Sequence, residues 1–267
     1  MTILEVPGAA LHYQLAGAGP LLLISQSGEG DADRTIDLAG HLTDEYTVLT
    51  YDRRGLSRSR LDHAADGATI ADHADDVHRL LAHLTDEPVA MLGCSLGAVI
   101  GLHVAADHPG QLHTLVAHEP IAPWLLPEPK PKLHRDELAE LRDRYLADGL
   151  QATIPQIVRS LGIDPANGEP HRTDFPMDAN RIANFDYFIR HDFVAAADDL
   201  EADLTTVSAR IVPAAGTTTP RTVFDYQCAE ALAVLLDQKL ELFPGGHNGN
   251  LSHPKAYAER LREVLSR

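Results

Sequence analysis

The segment Gly93-Cys94-Ser95-Leu96-Gly97 carries the strongest chemical signal in this chain. A G-x-S-x-G segment suits nucleophilic catalysis when a strand leads into it and a helix leaves it. Pro88–Gly93 (PVAMLG) reads as such a strand, and the largely apolar Ser95–Asp107 as such a helix. A sharp turn between them would hold the serine hydroxyl above the sheet edge, and the flanking glycines remove side chains that would clash there. The free N–H groups at the start of the helix would face a developing oxyanion. A serine hydroxyl needs a base to take its proton. With 15 histidines in the chain, residue type alone selects none of them. His247 is set apart by its place in Phe243-Pro244-Gly245-Gly246-His247-Asn248-Gly249, between the last predicted strand and the closing helix. Such a loop lies at the carboxyl end of the sheet, the edge that also carries Ser95. His73, His78, His83, His103, His108 and His113 fall on helices or their ends and read as solvated. The sequence contains no H-E-x-x-H and no Cys/His set, so neither a metal nor a cofactor is expected.

The elements that would position these residues alternate. Ile3–Val6 and Ala10–Leu15 predict a hairpin turned at Pro7-Gly8. Leu21–Ile24 is a continuous apolar run, as expected of a strand covered on both faces. Asp31–Leu42 predicts a helix, and Tyr46–Tyr51 a strand rich in β-branched and aromatic residues. Thr69 and Asp72 form a capping-box pattern ahead of Ile70, Ala74, Val77, Leu80, Leu81 and Leu84 at helical spacing. His113–His118 is the next strand. The pattern then breaks: Ile121 to Val207 reads as helical, with a stiff connector at Pro123, Pro127, Pro129 and Pro131. Helices are expected over Glu137–Leu150, around Ile154–Leu161 and within Asn180–Leu200. Alternation resumes with strands Ala209–Ala214 and Lys239–Phe243 and helices Val223–Leu236 and His253–Leu265. The expected architecture is α/β, a mostly parallel central sheet flanked by helices. It divides into a core from residues 1–120, a helical cap over 121–207, and the rest of the core over 208–267.

The chain has 267 residues, 44% hydrophobic and 23% charged, enough to bury a full core. Its net charge of −17 argues against nucleic acid or a membrane surface as partner and leaves a small-molecule substrate. Two cysteines are too few for a disulfide framework. The N-terminus has no signal-peptide pattern, so a cytoplasmic protein with reduced thiols is expected. Cys94 reads as a small buried hydrophobe. Arg53, Arg54, Arg58 and Arg60 could favour an anionic substrate, although pairing with surface carboxylates is the commoner fate of such residues. Oligomeric state is not legible.

Together these features resemble the α/β-hydrolase family over nearly the whole chain. The resemblance rests on the early hairpin, the serine elbow, a helical cap after the sixth strand, and the terminal histidine loop. Asp52-Arg53-Arg54-Gly55-Leu56-Ser57 resembles the family's D-x-R-G-x-G-x-S loop. More narrowly, Leu115–Pro120, Phe185–Phe193 and Phe243–Asn250 resemble stretches of actinobacterial members. The family implies a Ser–acid–His triad in that chain order. Its usual acid position follows the seventh strand, but Gly216-Thr217-Thr218-Thr219-Pro220 offers no carboxylate before Asp225. A second family position, at the end of the sixth strand, is occupied by Glu119, which the resemblance therefore implies as the acid. Asp192 and Asp225 are the alternatives. The implied oxyanion donors are the N–H groups of Leu96 and of Ser27, the latter in Ser25-Gln26-Ser27 where the family commonly has His-Gly-x. Gln26 could add a side-chain donor. Substrate contacts are expected from Gln26, Trp124, Phe188 and His191, with Leu125, Leu126, Phe185, Tyr187, Phe193 and Asp192 as further candidates. The implied reaction is hydrolysis of a carboxylic ester, lactone or thioester through an acyl-enzyme on Ser95. The same residues could serve carbon–carbon bond hydrolysis, acyl transfer, cyclisation or lyase chemistry, or belong to a binding protein with little turnover.

Overall fold

The computed structural model describes residues 2–63 and 67–267. Among them, nine strands form one sheet: β1 (Thr2–Val6), β2 (Ala9–Gly17), β3 (Leu21–Ser25), β4 (Thr47–Tyr51), β5 (Arg60–Leu61), β6 (Val89–Cys94), β7 (Leu112–His118), β8 (Arg210–Gly216) and β9 (Glu241–Phe243). The order is β1-β2-β4-β3-β6-β7-β8-β9, with β5 beside β2. β2 runs antiparallel to β1, β4 and β5, and all pairs from β4 through β3 to β9 are parallel. The two-residue β5 escapes sequence reading because it is too short to show a period. With it counted, the predicted sixth strand is β7.

The helices are α1 (Ile36–Gly40), α2 (Ile70–Leu84), α3 (Leu96–Asp107), α4 (Lys130–Asp148), α5 (Leu150–Ser160), α6 (Ala179–Tyr187), α7 (Phe193–Asp198), α8 (Phe224–Leu235), α9 (Gly249–Ser252) and α10 (Pro254–Leu265). Strand side chains alternate between two cores. Leu23, Leu49, Met91 and Leu115 pack with α2 and α3, while Leu22, Ile24, Val48, Leu92 and Val116 pack with α1 and α10. A parallel strand covered on both faces has no polar side, which is why β3 and β6 read as unbroken apolar runs. Helix α2 begins with a true capping box, Thr69 and Asp72 each satisfying the other's backbone N–H.

The expected Asp31–Leu42 helix is instead a 3₁₀ turn over Ala32–Thr35 followed by the short α1. Its start is bent to local acids: Asp31 accepts from the Asp33 N–H, and Asp52 Oδ1 accepts from the Ala32 N–H at 2.7 Å. Between β7 and β8 every regular element is helical. α4 starts earlier than its periodicity predicts, because Pro131 fits the first turn of a helix, where a missing N–H costs nothing. In the last stretch, α6 passes through a π-helical turn at Phe188–Asp192 into α7. Such turns often mark functional positions. No helix among the described residues is long and apolar enough to cross a membrane.

Candidate active site

Ser95 sits between β6 and α3 with φ +53° and ψ −114°, a conformation few non-glycine residues adopt. Its N–H donates to the His118 carbonyl at 2.9 Å, and its own carbonyl accepts from Ala98 and Val99 as α3 begins. Glycine is required on both sides. A Cβ on Gly97 would lie 2.2 Å from the Ser25 carbonyl oxygen, and one on Gly93 would lie 2.5 Å from the Gly97 oxygen. The Leu96 N–H, in the first turn of α3, has no intrahelical acceptor.

Ser95 and His247 line one cavity of about 220 Å³. Its polar rim includes Ser27, Glu29, Arg34 and Arg181, and its apolar walls come largely from α4, α5 and the π-helical turn, among them Leu138, Leu141, Ile157, Val158 and Phe188. Glu119, the residue after β7, is fully buried with φ +43°. Its Oε1 accepts from the Gly216 N–H at 2.8 Å, and its Oε2 accepts from His247 Nδ1 at 2.8 Å. A carboxylate can only accept, so this contact fixes the proton on Nδ1 and leaves Nε2 as the basic nitrogen. Ser95 and His247 line the same cavity without a hydrogen bond between them. Such contacts are commonly long until substrate closes them. Burial would raise the Glu119 carboxyl, but the His247 hydrogen bond and the neighbouring imidazoles outweigh it and hold the group down at about 2. For His247, burial disfavours the charged ring; the hydrogen bond and charge of Glu119, with the charge of Asp225, overcome that and raise its pKa.

The loop bearing Ser27 is held from behind by a buried guanidinium. Arg53 donates to the carbonyls of Gln26 (3.0 Å), Ser27 (2.6 Å) and Gly28 (2.8 Å), and pairs with Asp192 Oδ2 at 2.9 Å. Asp192 also meets His73 Nε2 at 3.3 Å through its other oxygen. Asp192 is thus a structural counter-ion on the π-helical turn, away from His247, and His73 is buried rather than solvated. The neighbouring arginines are committed too. Arg54 is bidentate on Asp76 at 2.6 Å, and Arg58 binds Asp52 and Asp33. Three of the four arginines in this loop therefore serve internal pairs rather than an anionic ligand.

Of the expected substrate contacts, Phe188 lines the cavity, with Phe185 and Phe193. Gln26, Trp124 and His191 do not. The Gln26 amide is buried and donates to Thr35 Oγ1, so it holds the loop to the 3₁₀ turn before α1 rather than facing ligand. The Trp124 indole N–H donates to Asp199 at 2.9 Å, an acid shared with His103, because a half-buried indole needs an acceptor. His191 packs on Tyr187 and lines a separate surface pocket with His103 and Arg190. Sequence reading missed the Arg53 clamp and the pairing of His134 on α4 with Asp225 on α8, at 3.3 Å. The D-R-R-G pattern could have signalled the first; nothing local signals the second. It also missed the pair of Arg181 with Glu29, which ties α6 to the loop after β3 at 2.7 and 2.9 Å.

A central parallel sheet with a strained serine at a strand–helix turn defines an α/β hydrolase, and residues 20–161 match the α/β hydrolase fold family. The chain belongs to that family. It is 37% identical to a Bacillus subtilis protein named as the uncharacterized hydrolase YraK, over 99% of this chain and 95% of the relative. It is 26% identical to an Escherichia coli protein named as the putative carbamate hydrolase RutD, over 94% of this chain and 92% of that one. Among solved structures, an esterase from Exiguobacterium antarcticum superposes with a TM-score of 0.74 at 18% identity, covering 99% of this chain and 98% of that one. An enol-lactonase from Burkholderia xenovorans gives 0.73 at 18%, covering both chains fully. At these identities the two structures speak for the fold alone.

Proposed function

We propose that this hydrolase cleaves a carboxylic ester, lactone or thioester of a small to medium, partly apolar molecule through an acyl-enzyme on Ser95. The observation that carries the reading is the His247 Nδ1–Glu119 Oε2 hydrogen bond of 2.8 Å behind an imidazole that shares its cavity with Ser95. In the proposed cycle, His247 Nε2 takes the Ser95 proton as Oγ attacks the carbonyl carbon. Glu119 holds the tautomer and stabilises the imidazolium. The N–H groups of Leu96 and Ser27 receive the oxyanion. The imidazolium returns its proton to the leaving oxygen or sulfur, and water then cleaves the acyl-enzyme by the same route.

Helices α4 to α7 act as a cap over this site, and the aliphatic walls suit an apolar acyl or alcohol group. The name of the Escherichia coli relative, a putative carbamate hydrolase, fits hydrolysis at a carbonyl centre. A fluorophosphonate probe tests the nucleophile: wild type should label and Ser95→Ala should not. Equal labelling of both, or none of the folded wild type, overturns the reading.

A further inference from the structure

His247 Nδ1 faces two carboxylates. Glu119 Oε2, at 2.8 Å, accepts its proton; Asp225 Oδ2 lies 3.7 Å from the same nitrogen. Asp225 is 2% exposed, and its Oδ2 has no hydrogen-bond partner among the described residues. A buried carboxylate oxygen without a donor is costly, so its position asks for a physical reason. The carboxylate is oriented from its other side: Oδ1 lies 3.3 Å from His134 Nε2 on α4, whose ring stacks on Phe224. That contact leaves Oδ2 turned to His247. Other groups facing these residues are Glu137 of α4 and Cys228 of α8 near Asp225, and His118 beside Glu119. Neither Glu137 nor His118 takes the place of Asp225: among the described residues, only Glu119 and Asp225 bring a carboxylate oxygen within 4 Å of a His247 ring nitrogen.

We propose that Asp225 is a second positioning acid for His247, sharing stabilisation of the imidazolium with Glu119 and accepting the Nδ1 proton when Glu119 is lost. This rests on the reading of Ser95 and His247 as nucleophile and base. The two acids reach one nitrogen from different elements, one from the end of β7 and one from the first turn of α8. A small rotation of the ring moves the Nδ1–H from one acceptor to the other. No atom is transferred to Asp225; it acts only through the charge and orientation of His247. Because His134 belongs to α4, Asp225 also links the ring to the helices that roof the cavity.

The test is a set of four variants, Glu119→Gln, Glu119→Ala, Asp225→Asn and Glu119→Gln/Asp225→Asn. Folding of each is verified by thermal melt, and kcat/KM and its pH profile are measured on a chromogenic short-chain ester. Asp225→Asn should lose about three- to tenfold and move the acid limb to lower pH, since a charge favouring the imidazolium is gone. Glu119→Gln should fall by about 10², and the double variant should approach the roughly 10⁴ loss of a site without a triad acid. Glu119→Ala guards against a glutamine amide that fixes the wrong tautomer. The proposal is overturned if the double variant is no slower than Glu119→Gln and Glu119→Ala, or if the acid limb stays fixed in Asp225→Asn. An active Ser95→Ala would instead overturn the nucleophile reading, independently of how the acids rank.

Discussion

Replacing Arg53 by methionine separates two jobs that one side chain performs. Its guanidinium neutralises Asp192 and clamps three consecutive carbonyls of the Ser27 loop. Both members of the ion pair are almost fully buried, at 1% and 0% exposure. Removing one partner of such a pair strands the other charge and costs about 3–5 kcal/mol. At about 2–4 °C per kcal/mol for a chain of roughly this size, the melting temperature should fall by about 6–20 °C. Arg53→Met/Asp192→Leu removes the stranded charge together with its partner, so much of that stability should return. The carbonyls of Gln26, Ser27 and Gly28 stay unclamped in both variants. If Ser27 supplies an oxyanion N–H, both should lose about 10²–10³ in kcat/KM. The assay is differential scanning calorimetry beside ester hydrolysis at a temperature where both variants are folded. Recovery of activity along with stability in the double variant would refute the positioning argument. A melting point for Arg53→Met within about 1 °C of wild type would refute the electrostatic one.

Three further outcomes follow from the geometry. The base form of His247 is neutral, and its acids raise its pKa above the usual histidine value; the rising limb of kcat/KM should therefore lie above about pH 6.5, and a limb below about 6 would contradict the assignment. A Cβ on Gly28 would lie 2.4 Å from the Phe188 ring. Gly28→Ala should cost about 1–3 kcal/mol in a denaturant melt and Gly28→Ala/Phe188→Leu should regain most of it, whereas equal instability of the two would place the strain elsewhere. The aliphatic cavity walls predict that kcat/KM rises up to about fourfold per added methylene in a p-nitrophenyl ester series, at about 0.8 kcal/mol each, until the chamber of about 220 Å³ is full. A flat series would exclude that chamber as the binding site.

The sequence made the core legible where burial is symmetrical. Leu21–Ile24 reads as a strand covered on both faces and Pro88–Gly93 as a further short strand, and they lie side by side as β3 and β6. Ser95 was legible because its motif demands a strand before it and a helix after it. His247 was singled out by the glycines around it and by its order in the chain, and Glu119 by the second acid position that the family resemblance implies, since the loop after β8 carries no carboxylate before Asp225. What stayed hidden depends on contacts between distant segments. Trp124 and His191 are aromatic residues in the right stretch, yet an indole seeking an acceptor and an imidazole packed on Tyr187 turn away from the cavity. Gln26 has the right neighbours and the wrong direction, since Thr35 takes its amide. Asp192 and Asp225 were equivalent alternatives on paper; Arg53 and His73 claim the first, and His134 sets the second beside His247. None of these partners shares a local pattern with the residue it binds.

The positive φ at Ser95 bears on how this protein should be captured with an uncleaved ligand. The backbone at that turn is held in a region that costs a residue with a Cβ on the order of 1–3 kcal/mol, and folding elsewhere in the chain must offset it. An alanine there silences the hydroxyl but keeps the Cβ and the tension. A glycine silences it and lets the tension go, against a smaller loss from a looser unfolded chain. The glycine form is therefore the sturdier inert version, and the better starting material for co-crystals with intact esters.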